Sequence, residues 1–277
     1  MKKIKRVTIS LWDIIMQPEM AYLPGHLAFF LVLSIFPILT LIGVIASFFN
    51  ISVTNLVNLV HTSLPPNIYN VIIPYIEGKG FDSNLLFFII IGFILASNGT
   101  HAITLASNSL YHFKNNSYLR RRLKALFMII LLILLFIFLL AFLAFGNQLY
   151  HMIIKLINID YINSIIFWLY AFLKWPFGMF IIYFNAKLLY TIAPDELIAS
   201  RSTTKGAIFT TLGWTIATAI FSLYIRYFGH YDIFYGSIAN IIVLIIWIYI
   251  LAFIFTIGIG INVKNVYIIN KNNNNSK

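Results

Sequence analysis

Apolar residues in this chain come in long runs, with neither strand-like alternation nor narrow helical stripes over most of their length. A helix that crosses a bilayer needs about 20 mostly apolar residues, because a rise of 1.5 Å per residue must cover about 30 Å of hydrocarbon. Six stretches meet that requirement: Leu27 to Phe49, Leu85 to Ala106, Ala125 to Phe145, Ile162 to Tyr190, Gly206 to Tyr227 and Ser237 to Val263. They are rich in Phe and Ile and do not alternate, which argues against a transmembrane barrel. The pattern predicts an all-α, polytopic membrane protein with six transmembrane helices spanning residues 27–263.

Three flanking segments carry patterns of their own. In the arm over 1–26, Ile4, Val7, Leu11, Ile14 and Ile15 recur at helical spacing beside a basic face, with Trp12 suited to the headgroup level. This predicts an amphipathic helix, either lying on the membrane surface or packed at the foot of the bundle. The first long apolar run begins after Pro24 and no small-residue cleavage pattern closes it, so the arm is expected to stay uncleaved. Between 50 and 84, the stripes Val53, Leu56, Val57, Val60, Leu64 and Ile68, Val71, Ile72, Tyr75, Ile76 flank Pro65-Pro66 and predict a short outer cap of two helices. The Asn-rich tail over 264–277 lacks apolar periodicity beyond Lys271 and is expected to be disordered there.

Composition agrees with a membrane location. Of 277 residues, 61% are hydrophobic and 10% charged, with mean hydropathy +0.90, against roughly 45–50% apolar and about 25% charged in soluble domains. The absence of cysteine excludes a disulfide framework, a thiolate metal site and a cysteine nucleophile. The net charge of +11 is distributed unevenly. Lys2, Lys3, Lys5 and Arg6 precede the first span; Lys114, Arg120, Arg121, Arg122 and Lys124 lie between the second and third. Lys187, Arg201 and Lys205 lie around the fourth-to-fifth connection, and Lys264, Lys271 and Lys277 are in the tail. The other connections hold Lys79, Lys155 and Arg226. Basic loops stay cytoplasmic, so both termini are expected on the cytoplasmic side of the plasma membrane.

Polar residues inside the spans are the candidates for chemistry. The second span carries Ser97, Asn98, Thr100 and His101 and continues to Asn108. Hydrocarbon cannot satisfy such groups, so they face inward, either lining a polar pathway or bonding helices together. Lys174 lies well inside the fourth span, where a lysine costs about 2.5–3.5 kcal/mol on insertion scales and needs a partner or a route to the headgroups. The histidines show no metal-ligand spacing, and the eight acids are scattered, so no metal site, cofactor or nuclease centre is expected. Neither a phosphate-binding loop nor a nucleophile-elbow motif is present. The basic cluster Arg120, Arg121, Arg122 and Lys124 is read as topology and attraction to anionic lipid rather than nucleic-acid binding.

Ordered motifs add a family. Ala28-Phe29 and Ser34-Ile35-Phe36-Pro37, then Ser97, Asn108 and Tyr111, then Tyr190 with Ala193-Pro194, Gly206, Trp214 and Phe221-Ser222 are found in this order. Tyr235-Gly236-Ser237-Ile238-Ala239, Trp247-Ile248-Tyr249, Gly258 and Asn262 complete the series. It resembles the YihY or virulence-factor BrkB family, formerly labelled ribonuclease BN, over nearly the whole chain. The resemblance implies a six-span inner-membrane protein whose activity the family names do not settle. Where the family motif resembles Gly-Ala-Glu-Leu-Asn, this chain has Gly258-Ile259-Gly260-Ile261-Asn262 and lacks the acid; where Pro-Gly usually opens the fifth span, it has Lys205-Gly206.

These observations favour a non-enzymatic protein that transports or accommodates an anionic amphiphile or lipid in a polar crevice of Ser97, Asn98, Thr100, His101, Asn108, Lys174 and Asn262. The alternative is an envelope assembly or structural factor. The expected partners are membrane lipids, not nucleic acid.

Overall fold

The computed structural model describes residues 9, 11–48, 85–135, 160–228 and 237–275. Within its helices the side chains of Phe36, 39–40, 42–48, 85–89, 160–175, 225–228, 237–240 and 268–275 fall outside the description. The cap expected over 50–84 lies outside the described residues. Among those described, every regular element is helical. A short helix over 11–15 and a 3-10 turn at Pro18–Ala21 lead into α1 (Leu23–Phe48). Next come α2 (Leu85–Tyr111), α3 (118–135), α4 (Asp160–Ile192), α5 (Thr204–Phe228) and α6 (Ser237–Asn275).

Helices satisfy their backbone groups internally, which is the condition for sitting in hydrocarbon. Among the described residues, Ile90–Tyr111, Thr204–Tyr224 and Ile241–Tyr267 are long and apolar enough to cross a bilayer, and Leu23–Ile35 and Pro176–Ile192 are shorter apolar stretches. On α5, Ile208, Leu212, Ile216 and Ile220 form an exposed stripe, whereas Ala207, Thr210 and Thr211 are buried. An apolar outside and a small, polar inside are what a helix facing lipid on one side and protein on the other requires.

The most extensive packing joins α1 to α2 and α5 to α6; α6 also packs on α1 and α2, and α4 on α5. Close approach depends on small residues. At Gly99 a Cβ would lie 3.0 Å from Ser34 Oγ, and the Gly99 amide donates to that oxygen at 2.9 Å, joining α2 to α1. Gly206 and Gly258 bring α5 and α6 together so tightly that a Cβ on Gly206 would run into the Gly258 carbonyl oxygen. Leu27, Ala106, Met128, Tyr190, Ala207 and Ile259 belong to the central apolar cluster built between these helices.

The arm is packed at the bundle foot over its described part. Ile14 is buried with Met20 and Ile257, and a Cβ on Gly260 would lie 2.6 Å from Ile14 Cγ2. Asp13 pairs with Lys264 at 3.2 Å, while Trp12 and Met16 stay exposed. Gly260, where the family resemblance places an acid, is thus the seat of an isoleucine.

Two boundaries differ from expectation. The third helix starts at 118 rather than 125, so Arg120, Arg121, Arg122 and Lys124 lie on its first turns and not in a loop. Charged side chains there read as loop residues, yet the helix tolerates them because their long stems reach polar groups elsewhere. The tail does not become disordered at Lys271: α6 runs to Asn275. Extending an established helix adds one hydrogen bond per residue fixed, without the cost of a new nucleus, so weak helix formers are carried along.

Candidate functional site

The polar face of α2 meets three neighbours. Ser97 and Thr100 are fully buried. Ser97 Oγ donates to its own helix at Ile94 O (2.8 Å), and Thr100 Oγ1 to Ala125 O on α3 at 2.8 Å and to Ser97 O at 3.0 Å. Thr100 thus ties α2 to α3, while the Ser97 hydroxyl is satisfied within its own helix. Asn98 accepts at 2.8 Å from Arg122 Nη1, and Arg122 Nη2 donates to Ile94 O at 2.6 Å. His101 is half-buried, its ring edge-on to Tyr118 at 5.9 Å, and its Nε2 has no hydrogen-bond partner among the described residues. These contacts place the start of α3 beside the middle of α2. From His101 to Tyr111 the last ten residues of α2 extend roughly 15 Å past that level, at 1.5 Å per residue.

That overhang ends in a cap built from sequence-local bonds. His112 takes a positive φ of 56°. The Phe113 amide bonds back to Asn108 O at 2.9 Å and the His112 amide to Ser109 O at 3.1 Å, a left-handed turn that satisfies the helix's last carbonyls. The Asn108 side chain, itself buried, ties this helix end to two loops. Its Nδ2 donates to Asn115 Oδ1 (2.9 Å) and Asp195 Oδ2 (2.7 Å), and its Oδ1 accepts from the Asp195 amide (2.9 Å).

Asp195 is the centre of this knot. Its side chain is 1% exposed; Oδ1 accepts from Lys124 Nζ at 2.7 Å and Oδ2 also accepts from the Asn116 amide at 2.9 Å. Lys124 additionally donates to the carbonyls of Pro194 (2.8 Å) and Ala193 (3.3 Å). Burial alone would raise the carboxyl's pKa, but the bonds from Lys124, Asn116 and Asn108 and the lysine charge outweigh it and hold the group down at about 2. In the sequence Asp195 is legible only as one of several scattered acids. Its place beside Glu196, in a connection that also carries Lys187 and Arg201, is the signal available there.

Asn262 lies elsewhere, on α6 against the start of α5. Its Oδ1 accepts from the Gly206 amide at 2.8 Å, one of the donors that a helix start leaves without an internal partner. Its Nδ2 is buried without a partner among the described residues. Beside it, Tyr190 Oη meets Thr210 Oγ1 at 2.5 Å and donates to Phe255 O at 2.9 Å, tying α4 to both helices. Lys174 belongs to α4, in the stretch whose side chains fall outside the description. Of the expected crevice residues, Ser97, Asn98, Thr100 and His101 cluster where α2 meets α3, whereas Asn108 and Asn262 serve separate polar clusters. Among the described residues no three of His, Asp or Glu come together to hold a metal ion.

Residues 12–276 match the family described as virulence factor BrkB. The chain belongs to that family. A BrkB-family relative described as ribonuclease-like, YfkH from Bacillus subtilis, is 28% identical over 227 residues, covering 80% of this chain and 82% of its own. UPF0761 membrane protein PSHAa0171 from Pseudoalteromonas translucida is 31% identical over 72 residues, 26% of this chain and 23% of its own. UPF0761 membrane protein IL2447 from Idiomarina loihiensis is 35% identical over 60 residues, 22% of this chain and 21% of its own. No solved structure matches the chain. The molecule is therefore a BrkB-family membrane protein with helices able to span the bilayer, and its family names leave the activity open.

Proposed function

We propose that this chain is a six-span, multi-pass protein of the plasma membrane, with both termini cytoplasmic and an outer cap. Its role is non-enzymatic: it accommodates or transports an anionic amphiphile in a crevice between α2 and α3. The basic residues sorted by connection support the orientation, and the overhang of α2 with its knot then faces the cytoplasm.

One observation carries the ligand reading. Arg122 is half-buried against α2, where two of its five N–H groups bond Asn98 Oδ1 and Ile94 O, both neutral acceptors. Among the described residues the ion pairs are Lys124–Asp195 and Lys264–Asp13, so the guanidinium has no carboxylate there. A charge half-buried against a span is costly unless something neutralises it. An anion with apolar chains, entering between the helices, supplies the missing charge and leaves its chains in lipid. Lys174, a charge within the sequence of the fourth span, is proposed as a second positive charge for the same ligand.

The test is mass-spectrometric identification of lipids and metabolites retained by gently purified protein, comparing wild type with Arg122→Gln and Lys174→Ala. The expected result is an anionic amphiphile enriched over the bulk membrane and depleted in Arg122→Gln. Retained lipid that mirrors the bulk membrane in all three samples sinks this reading. A single protein partner recovered equally from all three would instead favour the envelope-assembly role.

A further inference from the structure

The groups around His101 have more hydrogen-bonding capacity than the protein uses. His101 Nε2, His26 Nδ1 and Arg121 Nε are buried and have no hydrogen-bond partner among the described residues. They come from three helices, α2, α1 and α3. Arg121, Arg122 and His26 all lie within electrostatic reach of His101. The carboxylate in that reach is Asp195, and its oxygens are already taken by Lys124, Asn108 and the Asn116 amide. Packing fixes both rings: His26 sits edge-on to Phe30 at 5.0 Å and His101 edge-on to Tyr118 at 5.9 Å.

Buried polar atoms are paired in the great majority of cases, and three unpaired nitrogens, one of them on Arg121 and with Arg122 near them, point to something that pairs them. A partner that suits them is anionic and offers acceptors to groups on three helices. A planar carboxylate offers two oxygens, whereas a tetrahedral phosphate offers an oxygen to each helix. A protonated phosphate oxygen can also donate to whichever imidazole nitrogen lacks its hydrogen, so either tautomer of each ring is served.

We propose that His26, His101 and Arg121 bind a phosphate group, either free or as the terminal phosphomonoester of a lipid entering from the cytoplasmic leaflet. The proposal rests on the crevice reading above and names the chemistry of what enters it. Arg121 supplies the fixed charge, and the two imidazoles orient the phosphate oxygens.

The full chain, purified in a zwitterionic detergent and depleted of lipid, is titrated with inorganic phosphate and, separately, with dihexanoyl phosphatidic acid, and binding is read as a saturable shift in thermal unfolding. Wild type is expected to bind at least one of them. Arg121→Gln and His101→Gln should weaken that binding by about tenfold or more, the loss typical of a hydrogen bond to a charged group. Arg120→Gln removes the same charge from an exposed neighbour and should change binding by no more than about twofold. Binding of both ligands marks a phosphate-ion site, and binding of the lipid alone marks a headgroup site; either supports the proposal. It is overturned if neither ligand saturates wild type, or if Arg121→Gln binds as well as Arg120→Gln. Should that happen while an anionic amphiphile still co-purifies in an Arg122-dependent way, the crevice reading survives without the phosphate site. Phosphate-ion binding with no enriched amphiphile is the reverse case, in which the phosphate site stands and the amphiphile reading fails.

Discussion

Replacing Asp195 with asparagine tests the polar knot with minimal change of shape. Both carboxylate oxygens act as acceptors: Oδ1 takes Lys124 Nζ, and Oδ2 takes Asn108 Nδ2 and the Asn116 amide. An asparagine keeps one acceptor oxygen and turns an NH2 group against the other donors. The less damaging rotamer keeps the oxygen toward Lys124 and loses two bonds to a charged acceptor, each worth about 1.5 kcal/mol at the low end, or about 3 kcal/mol together. An independent route uses the carboxyl's displacement from 3.8 to about 2. At 1.36 kcal/mol per pKa unit, the folded state's preference for the charged form contributes about 2 kcal/mol. The folded pKa is depressed, so this contribution is fully present above about pH 4 and disappears as the pH falls through about 2. Unfolding of the purified chain in mild detergent, driven by a denaturing detergent and monitored by tryptophan fluorescence, measures it. At about pH 7, Asp195→Asn should be less stable by about 2–3 kcal/mol, and the gap to wild type should shrink by about 2 kcal/mol as the pH approaches 2. Equal stability at neutral pH, or a gap that stays constant through the acid range, would refute the reasoning.

Three further substitutions follow, two at close contacts of α6 and one at an open position for comparison. Gly206→Ala pushes a methyl group into the Gly258 carbonyl and the Asn262 amide; it should cost about 3 kcal/mol, the upper range for overpacking. Gly25→Ala, where a Cβ meets nothing within 4 Å, should change stability by no more than about 1 kcal/mol in the same assay. Gly260→Glu introduces the acid of the family motif at the seat of Ile14 and should lift the arm off the bundle. Faster maleimide labelling of a cysteine placed at Ile14 in this cysteine-free chain reads that release, and unchanged labelling would count against the packing described for Ile14.

Much of the architecture is legible in the sequence because hydrocarbon leaves the backbone little choice: long apolar runs must be helices, and polar residues within them must face protein. The inward face of α2 obeys that rule, and Ser97, Thr100 and Asn108 are buried accordingly. The rule cannot supply the partner. Arg122 meets Asn98, and Lys124 meets Asp195, across 24 and 71 residues of sequence, and nothing local marks either pairing. For the same reason the start of α3 differs from expectation: charges that find distant acceptors do not end a helix, whereas charges read in isolation resemble a loop. Asn262 reads as a crevice residue in the sequence, yet its described bond caps the start of α5, a role that depends on a helix 56 residues away.

The side-chain bonds that run between helices divide the bundle into two bodies. Ser34 with Gly99, Thr100 with Ala125 and Arg122 with Asn98 weld α1, α2 and α3. Tyr190 with Thr210 and Phe255, Asn262 with Gly206, and Trp214 with Leu251 weld α4, α5 and α6. Among the described residues, the side-chain bonds linking the two bodies include the knot at Asn108, Lys124, Asn116 and Asp195 and the pair of Asp13, on the arm leading into α1, with Lys264 of α6, while α1 and α2 meet α6 through packing. The knot therefore works as a clasp between the two bodies at the loop end of α2. Parting the halves there means stripping one buried carboxylate of its bonds to Lys124, Asn108 and the Asn116 amide, so the clasp holds or lets go as a unit.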